Sequence, residues 1–378
     1  MSHKHPNYAA APATAFDRRG FLGRAGAGAG LLAALGLDLQ ALAQGSQGAG
    51  AQGSAAAAAG APAASTASAP PPEPTVSQPP PLADLQGKVA YITAGADGIG
   101  LGIARACSNA GMRVAIGYRN DERVKAALPR FRPDNAGVLP IRHDVTDREG
   151  WKRVLQQIKS KYGNLHLLVN NAGVKTLTRA VDAKADLWDE AVAVNFTGIF
   201  NGVASCLPHM LAHGEGSHIV TTASMGGVLP GGAAGVYTAT KMGAVGIMEA
   251  LRVELEGATV GTSVFCPGLV NTANDTAARP AAGTDGRMAA LLAAGMDPLE
   301  AGERVLNGVI NNDLFILSHP EFKPGMQERF SALLDSDPPP EVPYPTARVQ
   351  AEAPILHTGI YRREILHRHK RRRSYRTV

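Results

Sequence analysis

The sequence predicts an α/β domain with a doubly wound, mostly parallel sheet, and three observations predict it. Short β-rich apolar runs recur through residues 85–337, starting with Lys88-Val-Ala-Tyr-Ile-Thr93, the pattern of buried parallel strands. Segments of helical periodicity separate those runs. A glycine turn, Ala94-Gly-Ala-Asp-Gly-Ile-Gly100, joins the first run to the first helix. Bare backbone followed by a helix N-terminus, with free N–H groups and a positive dipole end, is what a diphosphate needs.

What flanks this domain is different in kind. Residues 1–43 contain Asp17-Arg-Arg-Gly-Phe-Leu-Gly-Arg24, a modest apolar run from Ala25 to Leu37, and small residues at Ala41-Leu-Ala43. Together they resemble a twin-arginine signal peptide, so export to a periplasm is expected, with a cytoplasmic location as the outcome if the signal is not used. Residues 44–84 are almost entirely Ala, Gly, Ser, Gln and Pro, and cannot bury enough side chain to offset the entropy of ordering. A disordered linker is expected there. Residues 338–378 open on Pro338-Pro-Pro-Glu-Val-Pro-Tyr-Pro345 and end in a basic tail containing His369-Lys-Arg-Arg-Arg373. The formal charge of +5 belongs to the two ends, leaving the folded body mildly acidic. Cys107, Cys206 and Cys266 show no CxxC spacing and read as small buried hydrophobes, so neither a disulfide frame nor a metal site is expected.

Within the domain, Leu101 to Ala110 reads as the helix after the glycine turn, ended by Gly111. The second strand, Met112-Arg-Val-Ala-Ile-Gly-Tyr118, ends without an acid and is followed by Arg119. An acid at that point holds a ribose 2′-hydroxyl and an arginine accommodates a 2′-phosphate, so NADP(H) is favoured and NAD(H) stays open. A third strand, Gly137 to Arg142, leads to His143-Asp144-Val145. Trp151 to Tyr162 is helical, and Leu165-His-Leu-Leu-Val169 is the fourth strand, running into Asn170-Asn-Ala-Gly173.

Ala185 to His213 reads as one long helix with Asn195 in its middle, a poor mid-helix residue for which a polar role is expected. Ser217 to Thr222 is the fifth strand, and Ser224 lies just past its C-terminal end, where open α/β sheets place ligands. Tyr237 and Lys241 sit four residues apart, one turn of a helix, so that an ammonium can favour the phenolate. Thr262 to Cys266 is the sixth strand, ended by Pro267-Gly268, and Asp313 to Leu317 is the seventh.

The Thr93–Gly100 turn, Asp144, Asn170-Asn-Ala-Gly173, Asn195, Ser224, Tyr237-x-x-x-Lys241 and Pro267-Gly-Leu-Val-Asn-Thr272 together resemble the short-chain dehydrogenase/reductase family over roughly residues 85–320. That resemblance implies a Rossmann-like, seven-stranded sheet of order 3-2-1-4-5-6-7 with helices on both faces. It implies a catalytic set of Asn195, Ser224, Tyr237 and Lys241. The cofactor set it implies is Thr93, Gly95, Asp97, Gly98, Ile99, Gly100, Arg119, Asp144, Val145, Asn171, Ala172, Gly173, Tyr237, Lys241, Pro267, Gly268, Val270 and Thr272. Tyr237 exchanges a proton with the substrate oxygen while hydride passes to or from the nicotinamide. Lys241 lowers the pKa of Tyr237 and bonds the nicotinamide ribose, Ser224 holds the substrate oxygen, and Asn195 anchors a water leading to Lys241. Homodimers or homotetramers are the assemblies the resemblance implies. One departure stands out: the family pattern has glycine where this chain has Ala94, which is costly if the backbone there needs φ > 0.

Substrate selection is expected in the loop after Ser224 and in an Ala-rich insert, Ala273 to Gly295, that could close as a lid. The insert's composition suggests a small, largely apolar alcohol or carbonyl compound. His319-Pro-Glu321 reads as a structural loop rather than an acid–base pair. The basic tail reads as solvated or as a patch for an anionic membrane surface, with nucleic acid not expected. The leading expectation is an NADP(H)-dependent alcohol/carbonyl oxidoreductase. The alternatives are an epimerase or lyase on the same scaffold, or a non-catalytic NADP(H)-binding protein.

Overall fold

A computed structural model describes residues 80–131, 137–232, 234–272, 293–337, 347–348, 350 and 359–374. The export signal expected over 1–43 lies outside the described residues, as do residues 44–79 of the expected linker and residues 273–292 of the expected lid.

In chain order the main elements are β1 (Val89–Ile92), α1 (Gly98–Asn109), β2 (Arg113–Tyr118), α2 (Asp121–Ala127), β3 (Leu139–Arg142), α3 (Arg148–Tyr162) and β4 (Leu167–Asn170). They continue with α4 (Ala185–Val192), α5 (Gly198–His213), β5 (Ser217–Thr222), α6 (Gly235–Glu254), β6 (Val260–Cys266), α7 (Pro298–Ile310), β7 (Phe315–Leu317), α8 (Lys323–Leu334) and α9 (Ile360–Ser374). The strands form one seven-stranded sheet in the order β3-β2-β1-β4-β5-β6-β7, every pairing parallel.

β1 shows why such strands read as unbroken apolar runs. All four residues are buried, and successive side chains serve opposite faces of the sheet. Ala90 and Ile92 join the core beneath α1 and α7, with Leu101, Ile103 and Val305. Val89 and Tyr91 join the core beneath α3, α5 and α6, with Trp151, Cys206 and Met248. The three cysteines are free and buried. The strand order reverses beside β1, which pairs with both β2 and β4, so the ends of β1 and β4 open a crevice. Thr93 and Asn171 stand on its two lips.

α1 and α7 cross at glycines. A Cβ on Gly102 would lie 1.9 Å from the Pro298 carbonyl oxygen, and one on Gly302 would lie 2.5 Å from the Gly102 oxygen. No side chain fits there, so the backbones touch directly.

The edges of the domain differ from expectation in two places. Leu82, within the expected linker, is already buried in the core, so the compact domain begins by that residue. The expected solvated tail is, over residues 360–369, a helix docked on the sheet edge. Ile360 is buried, and Tyr361 donates to Glu249 Oε1 at 3.0 Å. Glu364 accepts from the Leu314 amide at 3.1 Å, while Arg368, one turn on, donates to the Phe315 carbonyl and pairs with Glu364 at 2.9 Å. The physical reason is the edge itself. Among the described residues β7 has no partner strand on its outer side, and these two charged side chains satisfy backbone groups that such an edge leaves unpaired.

Candidate active site

The first turn sets the site's floor. Thr93 Oγ1 accepts from the amides of Asn171 at 2.8 Å and Ala172 at 2.9 Å, and donates to Val169 O at 3.2 Å. One hydroxyl thus clamps the end of β1 to the end of β4. Gly100 lies against this clamp: a Cβ there would meet Ala94 O at 2.2 Å and Asn171 Nδ2 at 2.5 Å. Gly95 is pinned to β2 by its amide, which donates to Gly117 O at 2.9 Å. Gly98 is left-handed, φ +47°, and its Cβ position is occupied at 3.1 Å by Thr272.

Ala94 resolves the departure noted in the sequence. Its φ is +50°, one of two positive values among the described non-glycine residues, the other being Asn312. Asparagine tolerates that conformation; an L-alanine there costs roughly 1–2 kcal/mol. Ala94→Gly is therefore expected to stabilise the chain by up to about 1 kcal/mol, because the flexible unfolded glycine returns part of the gain. Thermal unfolding measures it, and a lower melting temperature for the variant would show that Ala94 is not strained.

These turns wall a cleft of about 430 Å³. Of the cofactor set, Thr93, Asp97, Arg119, Asp144, Val145, Ala172 and Gly173 line it. Gly95, Gly98, Ile99, Gly100, Asn171, Tyr237, Lys241, Pro267, Gly268, Val270 and Thr272 do not, and Val270 is buried in the core. Asp97 precedes α1 with extended backbone, and its side chain does not cap the first-turn amides. Arg119 pairs with Asp144 at 3.1 Å, and Asp144 is held below the usual carboxylate range by hydrogen bonds from Thr146 and Arg119 that outweigh its partial burial. A larger groove of about 890 Å³, between α3 and α5, contains none of the cofactor or catalytic residues and is bordered by Lys152, Lys159 and Glu149 on the surface.

Of the expected catalytic set, Asn195 and Lys241 approach the cleft wall at Gly173. Gly173 is the junction: a Cβ there would lie 3.2 Å from Asn195 Oδ1 and 3.5 Å from Lys241 Nζ. Lys241 is buried on α6 and donates to the Thr222 carbonyl at 2.8 Å; burial lowers its pKa to about 8. Its ammonium lies 5.7 Å from the centroid of the Tyr237 ring. Ser224, past the end of β5, accepts from the Gly226 amide at 3.1 Å and hydrogen-bonds Tyr237.

Two expected roles need correction or refinement. Tyr237 stands above its ordinary pKa, because burial raises it more than the Ser224 hydrogen bond lowers it. Lys241 is not among the groups that shift it. Asn195 sits on a π-helical turn, Ala193–Thr197, between α4 and α5, where the sequence reading expected uninterrupted helix. Its amide is held directly by protein: Oδ1 accepts from Val174 N at 2.8 Å, and Nδ2 donates to Val174 O at 3.0 Å and Thr240 Oγ1 at 3.1 Å. The extra residue of the π-turn aims that amide at the β4 loop, so Asn195 ties this loop to α6 beside Lys241.

Two histidine groups have structural explanations. His319 accepts from the Gly268 amide at Nδ1, 3.0 Å, which leaves the proton on Nε2 to donate to Leu269 O at 3.0 Å. It clamps the Pro267-Gly268 loop. His166, His213 and Glu215 bring ligand atoms within 4.8 Å of one another. However, His166 Nδ1 accepts from Val89 N at 3.1 Å and its Nε2 meets Glu215 Oε2 at 2.9 Å, while His213 meets Glu215 N and Leu165 O. Each ring is committed at both nitrogens, so a metal would have to break backbone hydrogen bonds.

Arg123 was missed in the sequence reading. It lines the cleft from α2 and pairs with Asp97 at 2.6 Å. The only signal for it was its position one helical turn beyond Arg119.

The short chain dehydrogenase family model matches residues 88–283. The chain is 32% identical to C alpha-dehydrogenase of Sphingobium sp. strain SYK-6 over 285 residues, 72% of this chain and 93% of that one. It is 33% identical over 188 residues to 2,5-dichloro-2,5-cyclohexadiene-1,4-diol dehydrogenase of Sphingobium indicum, 50% of this chain and 75% of that one. Among solved structures, LigD in its apo form from Sphingobium sp. strain SYK-6 superposes with a TM-score of 0.59 at 30% identity, covering 68% of this chain and all (100%) of that one. A short chain dehydrogenase/reductase from Burkholderia phymatum in complex with NAD gives a TM-score of 0.61 at 25% identity, covering 69% and 99%.

Proposed function

The chain belongs to the short-chain dehydrogenase family, and from that premise we propose that it interconverts an alcohol and a ketone or aldehyde with NADP(H), Tyr237 acting as the general acid/base. The observation that carries this reading is the junction at Gly173, where the nucleotide-sized cleft meets Lys241 and, through α6, Tyr237 and Ser224.

The residues present fit a dinucleotide. The uncapped start of α1 and the glycines at 98 and 100 suit a diphosphate, and Asp144 and Val145 lie where an adenine would rest. Arg119, in the place where an acid would hold a 2′-hydroxyl, favours the 2′-phosphate. When bound, the nicotinamide supplies or accepts the hydride.

The chain's own residues do the rest. Tyr237, a phenol protonated at neutral pH and held more firmly so by its burial, presents its O–H to a carbonyl oxygen in the reduction direction. Ser224 has its Oγ fixed by the Gly226 amide and offers its proton to the same oxygen, countering charge that develops there. Lys241, with a pKa of about 8, is mostly charged at neutral pH and stabilises the phenolate left behind. The names of the relatives, a C alpha-dehydrogenase and a cyclohexadiene-diol dehydrogenase, favour a secondary alcohol as substrate.

A panel of secondary alcohols and their ketones, offered with NADP(H) and with NAD(H), tests the proposal through the near-ultraviolet absorbance of the dihydronicotinamide. Turnover of at least one pair, faster with NADP(H), is expected. Tight nucleotide binding without turnover across the panel would favour the non-catalytic alternative.

A further inference from the structure

The ribose end of the cleft carries two ion pairs rather than one. Arg119 follows β2 and pairs with Asp144 at 3.1 Å. One helical turn further, Arg123 on α2 reaches across to the glycine turn and pairs with Asp97 at 2.6 Å. Asn120 fixes the start of α2 by accepting from the Arg123 amide at 3.1 Å, so the two arginines are held on the same wall. All four charged residues line the cleft. The Asp97 side chain is largely covered, with 19% of its surface exposed, whereas Arg123 keeps 46%. The acid is the more enclosed half of the pair and the guanidinium the more exposed one.

This arrangement places an acid at the ribose end after all. It comes from the glycine turn, not from the end of β2, and Arg123 covers it. We infer that the Asp97–Arg123 pair is a cofactor selector: Arg123 joins Arg119 on a 2′-phosphate, and Asp97, uncovered, accepts from a 2′-hydroxyl. The inference rests on the nicotinamide dinucleotide reading above, but it concerns how the NADP(H)/NAD(H) ratio responds to this pair, whichever cofactor the wild-type chain prefers.

The charge count explains why the pair acts as a unit. With both partners present the wall holds two arginines against Asp97 and Asp144 and is neutral. Removing Arg123 leaves one arginine against two carboxylates, which repel a phosphate carrying close to two negative charges. A ribose hydroxyl has no charge to repel and gains an accessible carboxylate acceptor. Neutralising Asp97 does the reverse: it frees Arg123 and removes the acceptor.

Dissociation constants for NADPH and NADH, read from dihydronicotinamide fluorescence on wild type, Arg123→Ala, Arg123→Lys and Asp97→Asn, test this without any substrate. Arg123→Ala is expected to weaken NADPH about tenfold or more while changing NADH less than about threefold. Arg123→Lys should recover part of the NADPH affinity, and Asp97→Asn should move the ratio toward NADPH. Equal losses for both nucleotides in Arg123→Ala would make Arg123 a merely structural wall residue, and unchanged constants would remove it from the site; either result overturns the inference. A wild-type preference for NADH combined with the expected shifts in the variants would reject the NADP(H) assignment and leave the selector standing. Circular dichroism of each variant identifies misfolding, and then Arg123→Lys and Asp97→Asn decide.

Discussion

Tyr237→Phe is expected to lower kcat by about 10²–10⁴-fold, the range lost with a positioned general acid, while nucleotide affinity stays within a few-fold of wild type. The ring is retained, so its packing on α6 survives. What goes is the hydroxyl that Ser224 engages. Loss of that hydroxyl leaves Ser224 Oγ still satisfied by the Gly226 amide at 3.1 Å, and no buried polar group is orphaned. A stability cost is therefore not expected, and thermal unfolding alongside the kinetics separates chemistry from folding. Wild-type turnover in this variant would remove Tyr237 from the proton path, and a parallel collapse of nucleotide binding would make its role structural.

The second large effect is on stability. Gly102→Ala replaces a glycine inside α1, where alanine propagates a helix better by about 1 kcal/mol. Packing opposes that gain. The new methyl would sit 1.9 Å from the Pro298 carbonyl oxygen and 2.3 Å from its carbon, and a backbone group cannot turn aside as a side chain does. Relief requires α7 to shift, and overpacking of this kind costs about 1–3 kcal/mol, occasionally more, so a net loss of up to about 2 kcal/mol is expected. For a domain of this size that lowers the melting temperature by up to about 4–8 °C. Gly246→Ala on α6 is the control, since a Cβ there meets nothing within 4 Å, and it should be neutral or stabilising. Equal effects at the two positions would show that propensity, not the helix crossing, decides.

The parts of this molecule that were legible in the sequence are those written in local pattern. β1 is an apolar run and β4 nearly so, β5 is rich in β-branched residues, and Tyr237 and Lys241 meet on one face because a helix makes them meet. The glycine turn was legible for the same reason, and the cost suspected at Ala94 appears as a positive φ. What was not legible depends on partners far along the chain. Glu364 and Arg368 read as members of a solvated basic tail, because nothing near them in sequence shows that β7 leaves an unpaired edge. Arg123 carried no local signal beyond its spacing from Arg119, since its partner Asp97 lies 26 residues earlier. The π-turn at Asn195 has no composition signature beyond an asparagine in an otherwise good helix, and its direction is set by Val174 and Thr240. Burial also reversed one electrostatic expectation. The Tyr–Lys spacing predicts a lowered phenol pKa, but burial raises that of Tyr237, and desolvation is a property of the packed fold rather than of the spacing.

The central claim is that this site moves a hydride between a carbinol carbon and a nicotinamide, with Tyr237 handling the proton. Its most direct measurement is isotope transfer in a single turnover, using a secondary alcohol that carries deuterium on the carbinol carbon and an oxidised nicotinamide dinucleotide. The account predicts deuterium recovered on the reduced nicotinamide ring, at a rate that Tyr237→Phe suppresses. Deuterium released to solvent with the ring unlabelled, or label transfer indifferent to Tyr237→Phe, would contradict it.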